Sequence, residues 1–198
     1  EPLSSRRVFH VYMSDVGQLV MLPNLLGHLR RHAPGVRLHV EHFPALERGR
    51  SMTLGDVDLA VGHIEGLVAG FRQRTLFMER YVCVVSEDNR SFVNGMQLDA
   101  FSASPHAIAD SSGMAHWLVD EAFEKRGINR RFGLVVPEFM TLPFIIAGSD
   151  LVATMPGRLA ISRMKSAPST ASRTAAVATR SSVVTFMLCA RIMKRSML

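Results

Sequence analysis

The residues of this chain that can do chemistry lie in short polar stretches between apolar runs. Ser14-Asp15-Val16-Gly17 follows the β-rich segment Val8-Phe9-His10-Val11-Tyr12-Met13, and Asp110-Ser111-Ser112-Gly113 follows His106-Ala107-Ile108-Ala109. Each precedes a run with helical periodicity, so each marks the point where a strand hands over to a helix. The first amides of a helix lack an intrahelical acceptor, and together with the helix dipole they favour an anion. Ser14 or Asp15 suits the N-cap position, where a side-chain oxygen takes up one of those amides. His63 and Ile64 follow the apolar run at 57–62, and Glu138 and Phe139 follow the run at 134–136. In open α/β sheets ligands bind beyond the carboxyl ends of the strands, which is where all of these residues are expected.

Other chemistries are weaker. His28 and His32 are spaced for one helix face, with His39 and His42 further on. His28 and His32 flank Arg30 and Arg31 as on a solvated face, while His39 and His42 fall on opposite sides of a strand. No convergent Cys, Asp or Glu set joins them, so no metal site is expected. Ser111-Ser112-Gly113 lacks the Gly-x-Ser-x-Gly elbow of a nucleophile turn. No Ser-His-Asp order stands out, so no catalytic residue is assigned. The glycine pair at 66–70 has no following Gly-Lys-Ser/Thr, so neither a phosphate loop nor a cofactor is expected. Trp117 is expected either to pack the core or to line the ligand cleft.

The elements that must position these residues read as alternating strands and helices. Leu19, Leu22, Leu26 and Leu29 give one apolar helix face, closed by Ala33-Pro34-Gly35. Val36, Leu38 and Val40 alternate with polar residues as a second strand. A short helix is expected at 46–54, and the stretch 57–62 is a third, buried strand. Residues 71–80 read as an extended crossover. A second set follows, with strands at 81–85, 106–109, 134–136 and 151–154. Its helices are expected at 98–101, at 114–126 before Gly127, and after Thr141, with Pro143 in the first turn and Phe144, Ile145 and Ile146 buried. This order predicts two parallel α/β sets in tandem. After about residue 161 the chain turns to Ser, Ala, Thr and Arg, with apolar residues returning at 183–188.

At 198 residues and 47% hydrophobic, the chain can bury a sizeable core. No apolar run reaches the ~18 residues that span a bilayer, so no membrane partner is expected. The start carries no signal-like apolar region and no initiator Met, which reads as a trimmed fragment of a cytoplasmic protein. Cys83 sits in an apolar run, and with Cys189 the only other cysteine, no disulfide framework is expected. The net charge is +6, with 23 Lys and Arg against 17 Asp and Glu. Eight of the basic residues, and none of the acids, lie from Leu151 onward. Residues 1–150 therefore hold 15 bases against 17 acids, about −2. The body of the chain has no electrostatic footprint for DNA.

Several stretches resemble, in order and spacing, the effector-binding domain of LysR-type transcriptional regulators. They are the opening from Phe9 to Gly17, Leu22-Pro23-Asn24-Leu25, Ala33-Pro34-Gly35-Val36, Gly55-Asp56-Val57-Asp58-Leu59-Ala60-Val61-Gly62, Glu79-Arg80-Tyr81-Val82-Cys83-Val84 and Asp150-Leu151-Val152-Ala153-Thr154-Met155-Pro156. Arg131-Phe132-Gly133-Leu134-Val135-Val136-Pro137-Glu138-Phe139 is most similar to the branch sensing salicylate-like acids, nitroaromatics and nodulation flavonoids. The resemblance covers residues 3–161. It implies two Rossmann-like α/β subdomains with a cleft between them, as in type 2 periplasmic binding proteins, joined by crossovers near 72–78 and 155–162. Residues 1–7 would be the hinge after a DNA-binding and linker region. Residues 8–72 with a C-terminal return would form subdomain I, and 79–156 subdomain II.

The implied function is effector sensing in a transcriptional regulator, with effector-linked closure biasing the attached DNA readers. The implied partners are a small aromatic effector, DNA only through the absent N-terminal domain, and further copies in a homodimer or homotetramer. The implied effector-binding residues are Ser14, Asp15, Val16, Gly17, His63, Ile64, Asp110, Ser111, Ser112, Glu138 and Phe139. Two features depart from the family. Glu138 stands where salicylate-sensing relatives tend to carry His; a carboxylate there repels an acid and accepts from a phenol or amine. The family's last strand and helix are not recognisable in 162–198, which reads as an atypical basic tail of the composition a reading-frame shift in a GC-rich gene would give. The alternative functions are a solute-binding protein of the same fold and, behind it, an enzyme.

Overall fold

The computed structural model describes residues 1–42, 57–64, 71–110, 116–166 and 174–191. The chain falls into two compact units. Among the described residues the first comprises 1–42, 57–64, 71–78 and 185–191, and the second comprises 79–110, 116–166 and 174–184.

In the first unit, β1 (Val8–Met13) lies between β2 (Arg37–Glu41) and β3 (Leu59–Gly62), parallel to both. Alternation along β1 puts Phe9, Val11 and Met13 on one face and His10 and Tyr12 on the other. Val11 and Met13 are buried with Val61, and Phe9, Leu38, Val40, Met21 and Leu22 pack around them. The last two belong to α1 (Asp15–His32), which covers this face. The leucine stripe is only partly used: Leu22 joins the core, whereas Leu26 is 48% exposed. Beyond β3 the order continues to β8 (Thr174–Arg191), antiparallel to β3 with Leu59 opposite Ala190 and Gly62 opposite Met187.

The second unit has the strand order β4 (Phe71–Ser86), β7 (Val152–Pro156), β5 (Pro105–Ala109), β6 (Arg131–Val136). β5 runs parallel to β6 and β7, and β7 antiparallel to β4. Tyr81, Val84, Phe101, Val119, Phe139, Leu142, Ile146, Val152 and Met155 are buried. α3 (His116–Glu124) stops two residues short of the expected end at 126, and the turn after it closes at Gly127, whose φ of +67° favours glycine. Its amide and that of Ile128 donate to the carbonyls of Glu124 and Phe123, closing the last turn.

Several expectations need correction. The extended segment at 71–80 and the strand at 81–85 are one continuous strand, β4. The interval 155–162 is not a crossing: it holds the end of β7 and the start of α5 (Gly157–Ser166). The chain passes between the units in β4 and again in β8. Thr141 stands at the N-cap position of α4 (Leu142–Ala147) but makes no side-chain capping hydrogen bond; its hydroxyl donates to the Glu138 carbonyl at 3.0 Å. Leu142, Pro143 and Ile146 face inward, leaving Phe144 59% exposed. Trp117 is 39% exposed on α3 and so is not a core residue. The helix expected at 46–54 lies outside the described residues.

Candidate functional site

In the first unit the head of α1 is built by Ser14. Its Oγ accepts the Gly17 amide at 3.2 Å while its carbonyl accepts from the Gln18 amide at 2.9 Å. Ser14, Asp15, Val16 and Gly17 are all buried. Asp15 places a carboxylate in the first turn, where the helix dipole favours it. A Cβ on Gly17 would come 2.8 Å from Met13 Cγ, so the turn closes tightly on the end of β1. Because β1 and β3 are parallel with Met13 opposite Val61, the loops after both strands leave at the same end of the sheet. That register brings half-buried His63 and buried Ile64 to the end of the sheet that Ser14 occupies.

In the second unit, too, adjacent parallel strands end side by side. Ala109 is opposite Val136, and the Asp110 amide donates to the Val136 carbonyl at 2.9 Å. Asp110, Glu138 and Phe139 therefore follow the carboxyl ends of adjacent parallel strands. Asp110 is exposed, Glu138 half-buried and Phe139 fully buried. Phe139 packs edge-on against Tyr81 and His116, at centroid distances of 6.2 and 5.5 Å. It is thus a wall behind the loop rather than an open surface. Ser111 and Ser112 lie outside the described residues.

The charged neighbours of this loop were not anticipated from the sequence. His116 is buried, and neither ring nitrogen has a hydrogen-bond partner among the described residues. Its Nε2 lies 3.4 Å from Asp120 Oδ1, close enough for ion pairing but without hydrogen-bond alignment. Asp120 is held by Arg130, whose guanidinium also stacks over Phe123 at 4.4 Å. Burial pushes the His116 pKa down, with Arg130 adding to the effect and Asp120 and Asp110 opposing it. Burial likewise lowers His106, whose Nε2 lies 2.9 Å from the Phe101 carbonyl. Burial raises Glu79, against the Arg80 amide and Arg158. The i, i+4 spacing of His116 and Asp120 was the one local signal for this cluster.

One exposed cluster of metal-ligand type occurs among the described residues, formed by His10, His39 and Glu41. The histidine set considered from the sequence held His39 but neither His10 nor Glu41. No described helix is long and apolar enough to cross a membrane.

Residues 4–178 match the LysR substrate binding domain family. The transcriptional activator NagR of a Ralstonia species is 37% identical over 161 residues, 81% of this chain and 54% of that protein. NahR of Pseudomonas putida is 33% identical over 160 residues, 81% of this chain and 53% of that protein. Nodulation protein D 1 of Sinorhizobium fredii is 28% identical over 167 residues, 84% of this chain and 52% of that protein. The chain thus spans about half the length of these relatives. Among solved structures, the regulatory domain of MexT, a transcriptional activator of Pseudomonas aeruginosa, superposes with a TM-score of 0.75 at 26% identity, covering 94% of this chain and 90% of that one. A probable transcriptional regulator from the same organism shares the fold at a TM-score of 0.80 and 22% identity, over 98% of this chain and 64% of that one. The chain belongs to the LysR substrate binding domain family and has its mixed α/β fold.

Proposed function

We propose that this domain senses a small aromatic effector, and that the loop closing β1 onto the head of α1 in the first unit is a contact surface for it. The observation that carries the proposal is the N-cap at Ser14. Its oxygen is occupied by the Gly17 amide, which leaves its own O–H to donate to a carboxylate or phenolate. The first-turn amides and the helix dipole act in the same direction. In the other unit Glu138, following β6, is suited to accept from a phenol, and Phe139 supports that loop from behind. The loop at Ser14 therefore favours an aromatic ring carrying a carboxylate or phenolate.

Two relatives are named as transcriptional activators, which supports coupling of this sensing to DNA through a segment outside the matched region. A related regulator, CbnR, has been solved with its target DNA. Residues 1–150 carry a charge near −2 and offer no basic footprint for DNA. A thermal-shift panel of hydroxybenzoates, benzoates, phenols and flavonoids tests the reading. A ligand at ~100 times its Kd stabilises the native state by about 2.7 kcal/mol, an easily measured rise in Tm. The absence of a shift across the panel would remove the aromatic-effector assignment.

A further inference from the structure

From the exposed face of the first unit we infer a divalent-cation site, of the borderline type that takes zinc, formed by His10, His39 and Glu41. The inference is independent of effector sensing and uses the face of β1 and β2 opposite α1.

The parallel register of β1 and β2 makes His10 and His39 direct partners, and partners in a sheet project to the same side. Glu41 lies two residues beyond His39 and therefore on that side too. All three side chains are exposed. Phe9, Val11, Leu38 and Val40 take the other face, in or against the core. The Glu41 Oε1 atom is 3.4 Å from His39 Nε2 and 3.7 Å from His10 Nδ1, and all three ligand atoms lie within 4.8 Å of one another. A tetrahedral zinc ion with bonds of ~2.0–2.2 Å holds its ligands about 3.4 Å apart, so two of the spacings already fit. The imidazole rings lie 5.1 Å apart and tilted by 37°, not stacked, so their nitrogens can converge on one point.

The donor set also selects the metal. Two imidazoles and one carboxylate suit zinc, nickel or copper, whereas calcium and magnesium prefer all-oxygen cages. The backbone beneath is fixed, because the His10 amide donates to Asp58 at 3.0 Å and Asp58 is paired with Arg7. By contrast, His28 and His32 stack on α1 with no carboxylate joining them among the described residues, and His32 Nδ1 lies 2.9 Å from the His28 carbonyl.

Equilibrium dialysis of the full chain against zinc, read by atomic spectroscopy, tests the site. Four proteins are compared: the parent chain, His10→Ala, Glu41→Gln and the double variant His28→Ala/His32→Ala. The expected result is one tightly held zinc per chain in the parent and the double variant, with affinity at least tenfold weaker in His10→Ala and Glu41→Gln. Zinc should also raise the Tm of the parent but not of His10→Ala, while the metal-free Tm values of the two agree. Failure of the parent to retain zinc would overturn the inference and leave only an ion pair. So would retention by both His10→Ala and Glu41→Gln, or loss confined to the His28/His32 variant. Should His10→Ala fold poorly, Glu41→Gln at an exposed position decides the question alone.

Discussion

Ser14 Oγ accepts the Gly17 amide at 3.2 Å, and this contact joins the end of β1 to the first turn of α1. Ser14→Ala is expected to lower stability by about 1 kcal/mol, the usual value of an N-cap, as read by urea denaturation. Ser14→Asp keeps an acceptor and should recover most of that loss. It should not recover binding of an anionic effector, because a second carboxylate would repel it.

Gly17→Ala forces a methyl group within 2.8 Å of Met13 Cγ and 3.3 Å of Ser14 Oγ. Met13 is itself buried in the core of its unit and has little room to yield. Overpacking of this kind destabilises by roughly 1–3 kcal/mol, so the denaturation midpoint should fall at unchanged slope.

Arg130→Met removes the guanidinium that Asp120 pairs with and leaves that carboxylate beside buried His116. Arg130's side chain is 4% exposed, so the loss is that of one partner of a buried pair, roughly 3 kcal/mol. The double variant Arg130→Met/Asp120→Leu should lose much less. Equality of the two losses would show that the pair is not coupled.

His116 and His106 both have pKa values pushed below the usual 6.5, chiefly by burial. The unfolded chain therefore binds protons that the folded chain refuses. Each group contributes stability that is intact above pH 6.5 and is lost as pH falls through the lowered folded value. Glu79 has the opposite sign: its raised pKa gives a contribution present below pH 4.5 and lost as pH rises through the folded value. Denaturation midpoints measured downward from pH 7 should fall, and His116→Gln should flatten that slope. An unchanged slope would mean that His116 is not held neutral.

The alternation of strand and helix was legible because each apolar run is short and bounded by turn residues. So was the cap before α1, narrowed to Ser14 or Asp15, since such residues before a 3.6-period run commonly serve as N-caps. The crossing into the second unit was read as two pieces because residues 71–80 are polar where β4 carries on unbroken. Strand β8 was missed for a different reason. Its Ser, Ala, Thr and Arg content has no clear period, and its place depends on pairing with β3 more than a hundred residues earlier in the chain. The proximity of His10 and His39 is also non-local: 29 positions separate them, and only the register of two strands brings them together. Leu26 and Phe144 match helical apolar spacing, yet nothing among the described residues covers them fully.

Calorimetric titration of hydroxybenzoates and phenols into the chain tests effector sensing most directly. One ligand per chain should bind, about tenfold more weakly in Ser14→Ala, a loss near 1.4 kcal/mol, and equally well in the exposed control Lys125→Ala. No heat from any of these ligands, or equal affinity in the parent chain and Ser14→Ala, would contradict recognition at the head of α1.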